Sequence, residues 1–192
     1  MHRSKLFKEF NFKFFDLNSF KQSLIVEIPN NLSVNNIEVN SVNGIFKISN
    51  FEINNLIVDM ENSPLNINGI KAKKDIKIYG SNNNITASEL KSNNIIVKTR
   101  NAKIKLSKSN ANSIITKTIN DDILISEVNS KSISSITINS LIEYRNVYTS
   151  SAILKTRNDN IIYLNDKKNT VLDKLETYTI NGDVIKNVSV HK

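Results

Sequence analysis

The sequence predicts an all-β fold, a single-stranded β-helix in which about eight rungs of 19–20 residues stack along one axis. Three observations lead to this prediction. An asparagine recurs at a nearly constant spacing, apolar residues recur at fixed distances from it, and turn-forming residues follow it directly. A chain of 192 residues is also long enough to bury the core of a single domain.

The recurring asparagines define the repeat unit. Successive members of the series are 19, 20, 19, 19, 19, 19 and 23 residues apart. The series consists of Asn43, Asn62, Asn82, Asn101, Asn120, Asn139, Asn158 and Asn181. Because Asn and Ile together make up about a third of the chain, this series proves little by itself. The independent test is which residues lie at fixed offsets from it.

Apolar residues at two fixed offsets meet that test. Six residues before each asparagine stand Ile37, Leu56, Ile76, Ile95, Ile114, Ile133, Ala152 and Leu175. Three residues after it stand Phe46, Leu65, Ile85, Ile104, Ile123, Ile142, Ile161 and Val184. Further apolar residues lie two positions away, which is the period of a β-strand. Each unit is therefore predicted to be a strand, an Asn-centred turn, a second strand and a second corner. Stacked units bury a continuous apolar face that one unit alone cannot bury.

The turn itself has a recognisable composition. The residues directly after the asparagines are mostly turn formers, namely Gly44, Ser63, Asn83, Ala102, Asp121, Ser140, Asp159 and Gly182. Threonine recurs two residues before the asparagine, at Thr99, Thr118, Thr137, Thr156 and Thr179. Asn tolerates the left-handed backbone that such turns require, and stacked asparagines form amide ladders. We therefore expect the asparagine column to be a structural ladder buried inside the turn or at a buried corner.

An antiparallel meander or barrel is the competing fold, because Asn-Gly-like pairs are also typical of hairpin turns. A meander does not require eight units of nearly equal length, and the regular spacing therefore favours the solenoid. The four extra residues before Asn181 are expected in the loop at residues 165–169.

Residues 1–35 are predicted to form N-terminal cap strands, and residues 36–192 the repeat solenoid of the same domain. Residues 10–14 alternate Phe with polar residues, and residues 24–29 form an apolar run that ends at Pro29, which lacks an N–H donor. Solenoid ends require such caps because their strand edges are unpaired. The six phenylalanines between Phe7 and Phe20 favour a buried cap over a membrane-docking surface.

The outer face of the first strand carries both charge and apolar surface. Residues five, three and one before each asparagine are expected to point outward. Basic residues at these positions form a candidate polyanion-binding face, which consists of Lys98, Arg100, Lys117, Lys155 and Arg157. Isoleucines share the face, namely Ile96, Ile115, Ile119, Ile136, Ile138 and Ile153. Such a patch indicates either a covering segment of the chain or a partner surface. Stacking would place like charges of adjacent rungs ~4.8 Å apart.

The net charge of +8 agrees with an anionic partner, although solubility alone also explains it. Candidate anions are a wall polymer, lipid headgroups and nucleic acid. Specific nucleic-acid binding is not expected, because the chain has no RNA-recognition signature and no column of aromatics that could stack on bases.

Catalytic chemistry has little support in the sequence. The two histidines are His2 and His191, near the two ends of the sequence, and there is no cysteine. A catalytic triad, a His-based metal site and a thiolate site are therefore not expected. The sequence predicts a protein that is not an enzyme, with no cofactor and no bound metal.

Several repeat phrases resemble those of a bacterial adhesin-like β-solenoid family, which repeats the pattern Val-x-Thr/Ser-x-Asn-Gly-Asp-Ile. The matching phrases are Thr118-Ile119-Asn120-Asp121-Asp122-Ile123, Thr156-Arg157-Asn158-Asp159-Asn160-Ile161 and Thr179-Ile180-Asn181-Gly182-Asp183-Val184. The resemblance covers roughly residues 24 to 190 and departs from the family pattern at most turns, where another residue replaces Gly. It implies a β-solenoid without established catalytic residues, often located behind a membrane-spanning segment.

The functional expectation is a non-enzymatic surface or envelope-associated, adhesin-like binding module. Its expected partners are an anionic surface polymer or another protein. The alternative is a self-assembling structural scaffold of bactofilin type, because solenoid ends can stack through self-association. No segment reaches the ~18 apolar residues of a membrane-spanning helix, and the basic start lacks a signal sequence. We expect a surface or envelope location if an anchor precedes Met1, and a cytoplasmic location otherwise.

Overall fold

The computed structural model describes residues 34–43, 46–166 and 170–191, and the regular structure in these ranges is entirely β. The predicted cap strands at residues 10–14 and 24–29 lie outside the described residues. The described strands are β1 (Val34–Val42), β2 (Phe46–Glu61), β3 (Leu65–Ser81), β4 (Ile85–Ser88), β5 (Lys91–Lys98), β6 (Ile104–Ser107), β7 (Asn110–Lys117), β8 (Ile123–Ile136), β9 (Ile142–Lys155), β10 (Ile161–Leu164), β11 (Val171–Leu172), β12 (Lys174–Tyr178), β13 (Val184–Lys186) and β14 (Ser189–Val190).

Each strand pairs in parallel with its equivalent in the next unit. Ile95 in β5 lies beside Ile114 in β7, which lies beside Ile133 in β8. Every pairing among the described strands is parallel. The predicted β-solenoid of about eight turns is therefore confirmed, and the antiparallel meander is excluded.

Burial divides each turn of the solenoid into three straight segments. In one turn the buried residues are Ile133, Ser135, Thr137, Ser140, Ile142, Tyr144, Val147, Thr149 and Ala152. These positions step by two within a strand and by three at three places, and each step of three marks a corner. The first segment precedes the repeated asparagine, the second segment follows it, and a short third segment closes the turn. The sequence prediction contained the first two segments but not the third.

The corner between the second and third segments has a left-handed backbone. It falls seven residues after the repeated asparagine and has φ between 48° and 65°. It is occupied by Asn50, Gly69, Glu89, Lys108, Glu127 and Asn146. L-residues with side chains adopt this conformation at a cost of about 1–2 kcal/mol each, and neighbouring turns of the stack hold it in place. The residue types are too mixed for this corner to have been predicted.

The insertion occurs where it was expected. Tyr163 in β10 pairs with Lys186 in β13, a separation of 23 residues, whereas Tyr144 pairs with Tyr163 at 19. The four additional residues therefore lie between β10 and β12, and residues 167–169 of the expected loop lie outside the described residues.

The interior is a continuous apolar column with a polar cluster beside it. Tyr144 and Tyr163 are fully buried, and their rings meet edge to face with centroids 5.2 Å apart. The Tyr144 hydroxyl is hydrogen-bonded to Ser135 Oγ, which is also hydrogen-bonded to Thr116 Oγ1. The Tyr163 hydroxyl donates to the Val147 carbonyl at 2.8 Å. The buried hydroxyls of both tyrosines thus have partners.

Threonines two residues before the asparagine secure the corner. The hydroxyl of Thr156 donates to the Ser140 carbonyl at 2.9 Å, and that of Thr179 donates to the Asp159 carbonyl at 2.8 Å. Each bond joins one turn of the solenoid to the turn before it. The threonine column therefore stabilises the stack from inside the corner.

Three units have another residue at the threonine position, namely Ser41, Met60 and Gly80, and the corner at Gly80 differs most. Gly80 occupies the threonine position, and the Asn83 side chain fills the space beside it, 2.5 Å from where a Cβ on Gly80 would lie. The Asn83 amide is buried and has no hydrogen-bond partner among the described residues, and the same is true of the Thr99 hydroxyl. Buried polar groups without partners cost about 1–3 kcal/mol each, so this corner is a weak point of the solenoid.

Restoring threonine at this corner is expected to stabilise the protein. Gly80→Thr combined with Asn83→Ala removes the buried amide and supplies a hydroxyl in the position that Thr156 occupies elsewhere. We expect the double variant to unfold with a free energy about 1–3 kcal/mol higher than the native protein in urea titrations. Gly80→Thr alone should destabilise, because the new Cβ would meet Asn83 Oδ1. If Gly80→Thr changed the free energy of unfolding in the same direction with Asn83 present and with Asn83→Ala, this description of the corner would be contradicted.

Candidate binding face

The repeated asparagines form a hydrogen-bonded ladder on the surface of the solenoid. From Asn82 to Asn181 each Nδ2 donates to Oδ1 of the preceding member, with Asn62 as the first acceptor, at distances of 2.6 to 3.2 Å. The side chains of Asn101, Asn120 and Asn139 are exposed, so the expectation of a buried column was wrong.

The alternation of the backbone explains the exposure of the ladder. Thr137 and Ser140 point into the interior, and Ile138 and Asn139 lie between them on the outer side of the corner. The left-handed backbone expected of the column is also only partly present. Among the described members of the series, Asn43, Asn62 and Asn82 have positive φ and the other five do not.

The first segment presents a flat outer surface in four consecutive units. We name it the Ile/Lys face and define it by Lys98, Arg100, Lys117, Lys155, Arg157, Ile96, Ile115, Ile119, Ile136, Ile138 and Ile153. All five cationic side chains are exposed, and all six isoleucines are exposed or half-buried. The strand period therefore brings together every residue of the candidate polyanion-binding face and the isoleucines predicted beside it.

The cations are distributed differently from the continuous column that stacking suggested. Lys98 lies beside Lys117, but Ile136 follows Lys117 in the register and separates it from Lys155. The two arginines, three units apart, are separated by isoleucines at the same offset. Lys98 and Lys117 are therefore the one pair of cations of this face that share a column in adjacent turns. The other cations in these columns are separated by isoleucines, and the greater distance reduces their mutual repulsion.

The face has few acidic neighbours. In the four units of the Ile/Lys face, no acidic residue occupies the outward positions of the first segment. Acidic residues occur in the same columns on both sides of these units, at Glu38, Asp59 and Glu61 toward β1 and at Glu176 in β12. The surface is therefore positive in its central part and most negative toward β1. Among the described residues, the ion pair formed by this face joins Lys155 Nζ to Glu176 Oε2 at 3.8 Å.

A shallow depression lies at the C-terminal edge of the face. It is lined by Lys155, Leu175, Glu176, Thr177 and Tyr178. The hydrogen bond and charge of the Lys174 ammonium, at 2.7 Å, hold the pKa of the Glu176 carboxyl below its usual range, and Lys155 adds a smaller effect. The Glu176 carboxylate is thus paired with the Lys174 ammonium and stays ionised to lower pH than a glutamate without a partner.

Within the described ranges, no cluster of three or more His, Asp or Glu side chains is arranged to hold a metal ion. These residues also include no helix with the length and apolarity needed to cross a lipid bilayer.

The C-terminal turn is open on one side. Strands β12, β13 and β14 each pair with one strand of the preceding turn, and no described strand covers their other edge. Exposed apolar residues concentrate here, with Tyr178 and Ile180 each 53% exposed and Ile185 49% exposed. Unpaired parallel strands with apolar side chains are able to accept a further strand.

The parallel pairing of all described strands, the three-segment turn and the continuous interior define the chain as a β-solenoid repeat protein. Comparison of the chain with known protein families, with curated proteins and with solved structures finds no match. The resemblance to the adhesin-like family, which no comparison tests, stays a prediction.

Proposed function

We propose that this protein is a non-enzymatic, adhesin-like binding module of the cell surface or envelope, and that its Ile/Lys face binds an anionic partner. One observation carries the proposal. Five exposed cations lie on one face in three of four consecutive turns, without an acidic side chain among them. Such a field attracts anions and raises their local concentration.

The solenoid also supports binding by its rigidity. Strands β5, β7, β8 and β9, which bear the face, have neighbouring strands on both sides. Side chains that project from a fixed sheet lose little backbone freedom on binding, and a preorganised site binds more tightly than a flexible one.

Binding to linear polyphosphate tests the proposal. We expect the native protein to bind it with an affinity that falls steeply between low and moderate salt, because cations that contact phosphates release counterions. Lys98→Glu combined with Lys155→Glu should weaken binding at low salt by on the order of tenfold or more. The affinity is measured by fluorescence anisotropy with a labelled polymer.

The matched control changes the same charge on other segments. Lys91→Glu combined with Lys105→Glu alters two exposed lysines of the third and second segments. We expect the control variant to lose at most half as much binding free energy as the face variant loses. Equal affinities of the face variant and the native protein would reject the Ile/Lys face as the anion site.

A self-assembling scaffold is the second candidate, and the open C-terminal turn favours it. Its uncovered strand edges and its exposed Ile185 would be buried by end-to-end contact with another copy. Sedimentation velocity over a range of concentrations separates the two functions. Particles that lengthen steadily with concentration support the scaffold, and a species of constant size supports the binding module.

A further inference from the structure

The isoleucines of the Ile/Lys face are not explained by a hydrophilic polyanion. Ile115 is 37% exposed and Ile138 is 40% exposed, although both belong to the well-paired middle of the solenoid. Ile136 lies between Lys117 and Lys155 in the register, so apolar and cationic side chains are interspersed along the stack. A polymer of phosphate or carboxylate groups would contact the cations and leave this apolar surface in water.

We infer that the anionic partner of the Ile/Lys face is the headgroup surface of an anionic lipid bilayer. This inference rests on the proposed function and names the class of its partner. A bilayer surface offers anionic headgroups above an apolar boundary within a few ångströms, which matches a face that has both kinds of side chain.

Side-chain lengths fit this two-level partner. The isoleucines are short and stay close to the plane of the sheet, whereas the long stems of Lys98, Lys117 and Arg157 can extend along them and keep their charged ends at the headgroups. The face spans four turns, about 14 Å along the axis at ~4.8 Å per turn, so several headgroups are contacted at once.

Charge complementarity also predicts how the solenoid lies on the membrane. The cations occupy the units from Asn101 to Asn158, whereas Asp59 and Glu61 occupy the same outward columns nearer the N-terminal end. An anionic surface attracts the first region and repels the second. The solenoid should therefore tilt, with its C-terminal half in contact with the lipid.

Cosedimentation with vesicles tests the inference. The full chain is mixed with vesicles of phosphatidylglycerol and phosphatidylcholine, or of phosphatidylcholine alone. We expect binding to the anionic vesicles and at least about tenfold weaker binding to the zwitterionic ones. Ile115→Ser combined with Ile138→Ser should weaken binding to the anionic vesicles by about tenfold and leave the affinity for polyphosphate unchanged.

A control variant removes apolar surface elsewhere. Ile185→Ser combined with Val190→Ser changes two exposed residues of the C-terminal turn and should leave vesicle binding unchanged. Thermal melts confirm that each variant is folded before its binding is interpreted.

Each other outcome has a definite meaning. Binding to polyphosphate without binding to anionic vesicles would overturn the inference and leave the proposed function intact. Vesicle binding that is insensitive to the Ile115 and Ile138 changes, or equal for both vesicle types, would also overturn it. Binding to neither probe would reject the inference and the proposed function together.

Discussion

Ile114→Asp is expected to prevent folding, whereas Ile115→Asp should leave the protein folded. The two isoleucines are adjacent in β7, but the first is fully buried and the second is 37% exposed on the outer face. An aspartate at position 114 would place an unpaired carboxylate in the continuous core between Ile95 and Ile133. Burial of an unpaired charge costs several kcal/mol, against a total stability of about 5–15 kcal/mol.

The same result is expected in the second segment. Ile104, Ile123 and Ile142 are fully buried and stacked on one another, so aspartate at any of them should also prevent folding. Ile115→Asp is the matched control, because it makes the same chemical change on the same strand as Ile114→Asp. Its expected cost is about 1 kcal/mol or less, from the lower strand propensity of aspartate.

Circular dichroism melts and gel filtration provide the measurements. The buried variants should lack a cooperative thermal transition, and Ile115→Asp should show one close to that of the native protein. A native-like melting temperature for Ile114→Asp would show that the inward face has been assigned incorrectly.

The second large effect is a loss of stability at alkaline pH. Burial raises the pKa values of the Tyr144 and Tyr163 hydroxyls well above the ordinary tyrosine value of about 10. For Tyr144 the hydrogen bond with Ser135 opposes this effect, and for Tyr163 the charge of Tyr148 adds to it. Both phenols therefore stay protonated in the folded protein at pH values where those of the unfolded chain lose their protons.

The sign of the pH dependence follows from this difference. Below about pH 10 both states bind the proton, and the stabilisation from the two tyrosines is fully present. Above about pH 10 the unfolded chain releases protons that the folded protein retains, so stability falls as pH rises. Each tyrosine contributes a loss of about 1.4 kcal/mol per pH unit until its folded-state pKa is reached.

Urea unfolding between about pH 8 and 11.5 measures this slope. Tyr144→Phe combined with Tyr163→Phe should flatten the decline by up to about 2.7 kcal/mol per pH unit at its steepest. Its stability at neutral pH should be lower, because each hydroxyl loses a hydrogen bond worth about 1 kcal/mol. The decisive quantity is therefore the slope.

Tyr178→Phe is the control for the alkaline experiment, because this side chain is 53% exposed. It should leave the slope unchanged. The ammonium groups of Lys71 and Lys103 donate hydrogen bonds to Glu52 and Asp122, which raises the pKa values of these lysines. Both lysines are present in all variants, so their contribution to the slope cancels in the comparison. An equal slope for the native protein and the double variant would contradict the assignment.

Much of the fold could be predicted because the repeat is visible in the chain. The offsets of Ile104 and Ile114 from Asn101 and Asn120 already indicated which side chains point inward, and the structure confirms the stack of parallel turns. The interruption of the basic column by Ile136 was also readable, since this residue has the same offset as Lys117.

Other features depend on the path of the chain at its corners. The asparagine ladder was predicted on the inside and lies on the outside, because Thr137 and Ser140 take the inward positions on either side of Ile138 and Asn139. The left-handed corner at residues such as Glu89 and Lys108 has no shared side chain to indicate it.

The sequence by itself determined the unit length, the strand period and the residues of the Ile/Lys face, because these depend on spacing along a single strand. Only the tertiary structure decided the third segment and the edge-to-face contact of Tyr144 with Tyr163. It also decided that the Asn83 side chain fills the space beside Gly80, where other units have a threonine side chain. These features join residues of different segments or different turns. Their geometry depends on how corners bend and how adjacent turns pack, and the one-dimensional spacing of residue types does not contain that information.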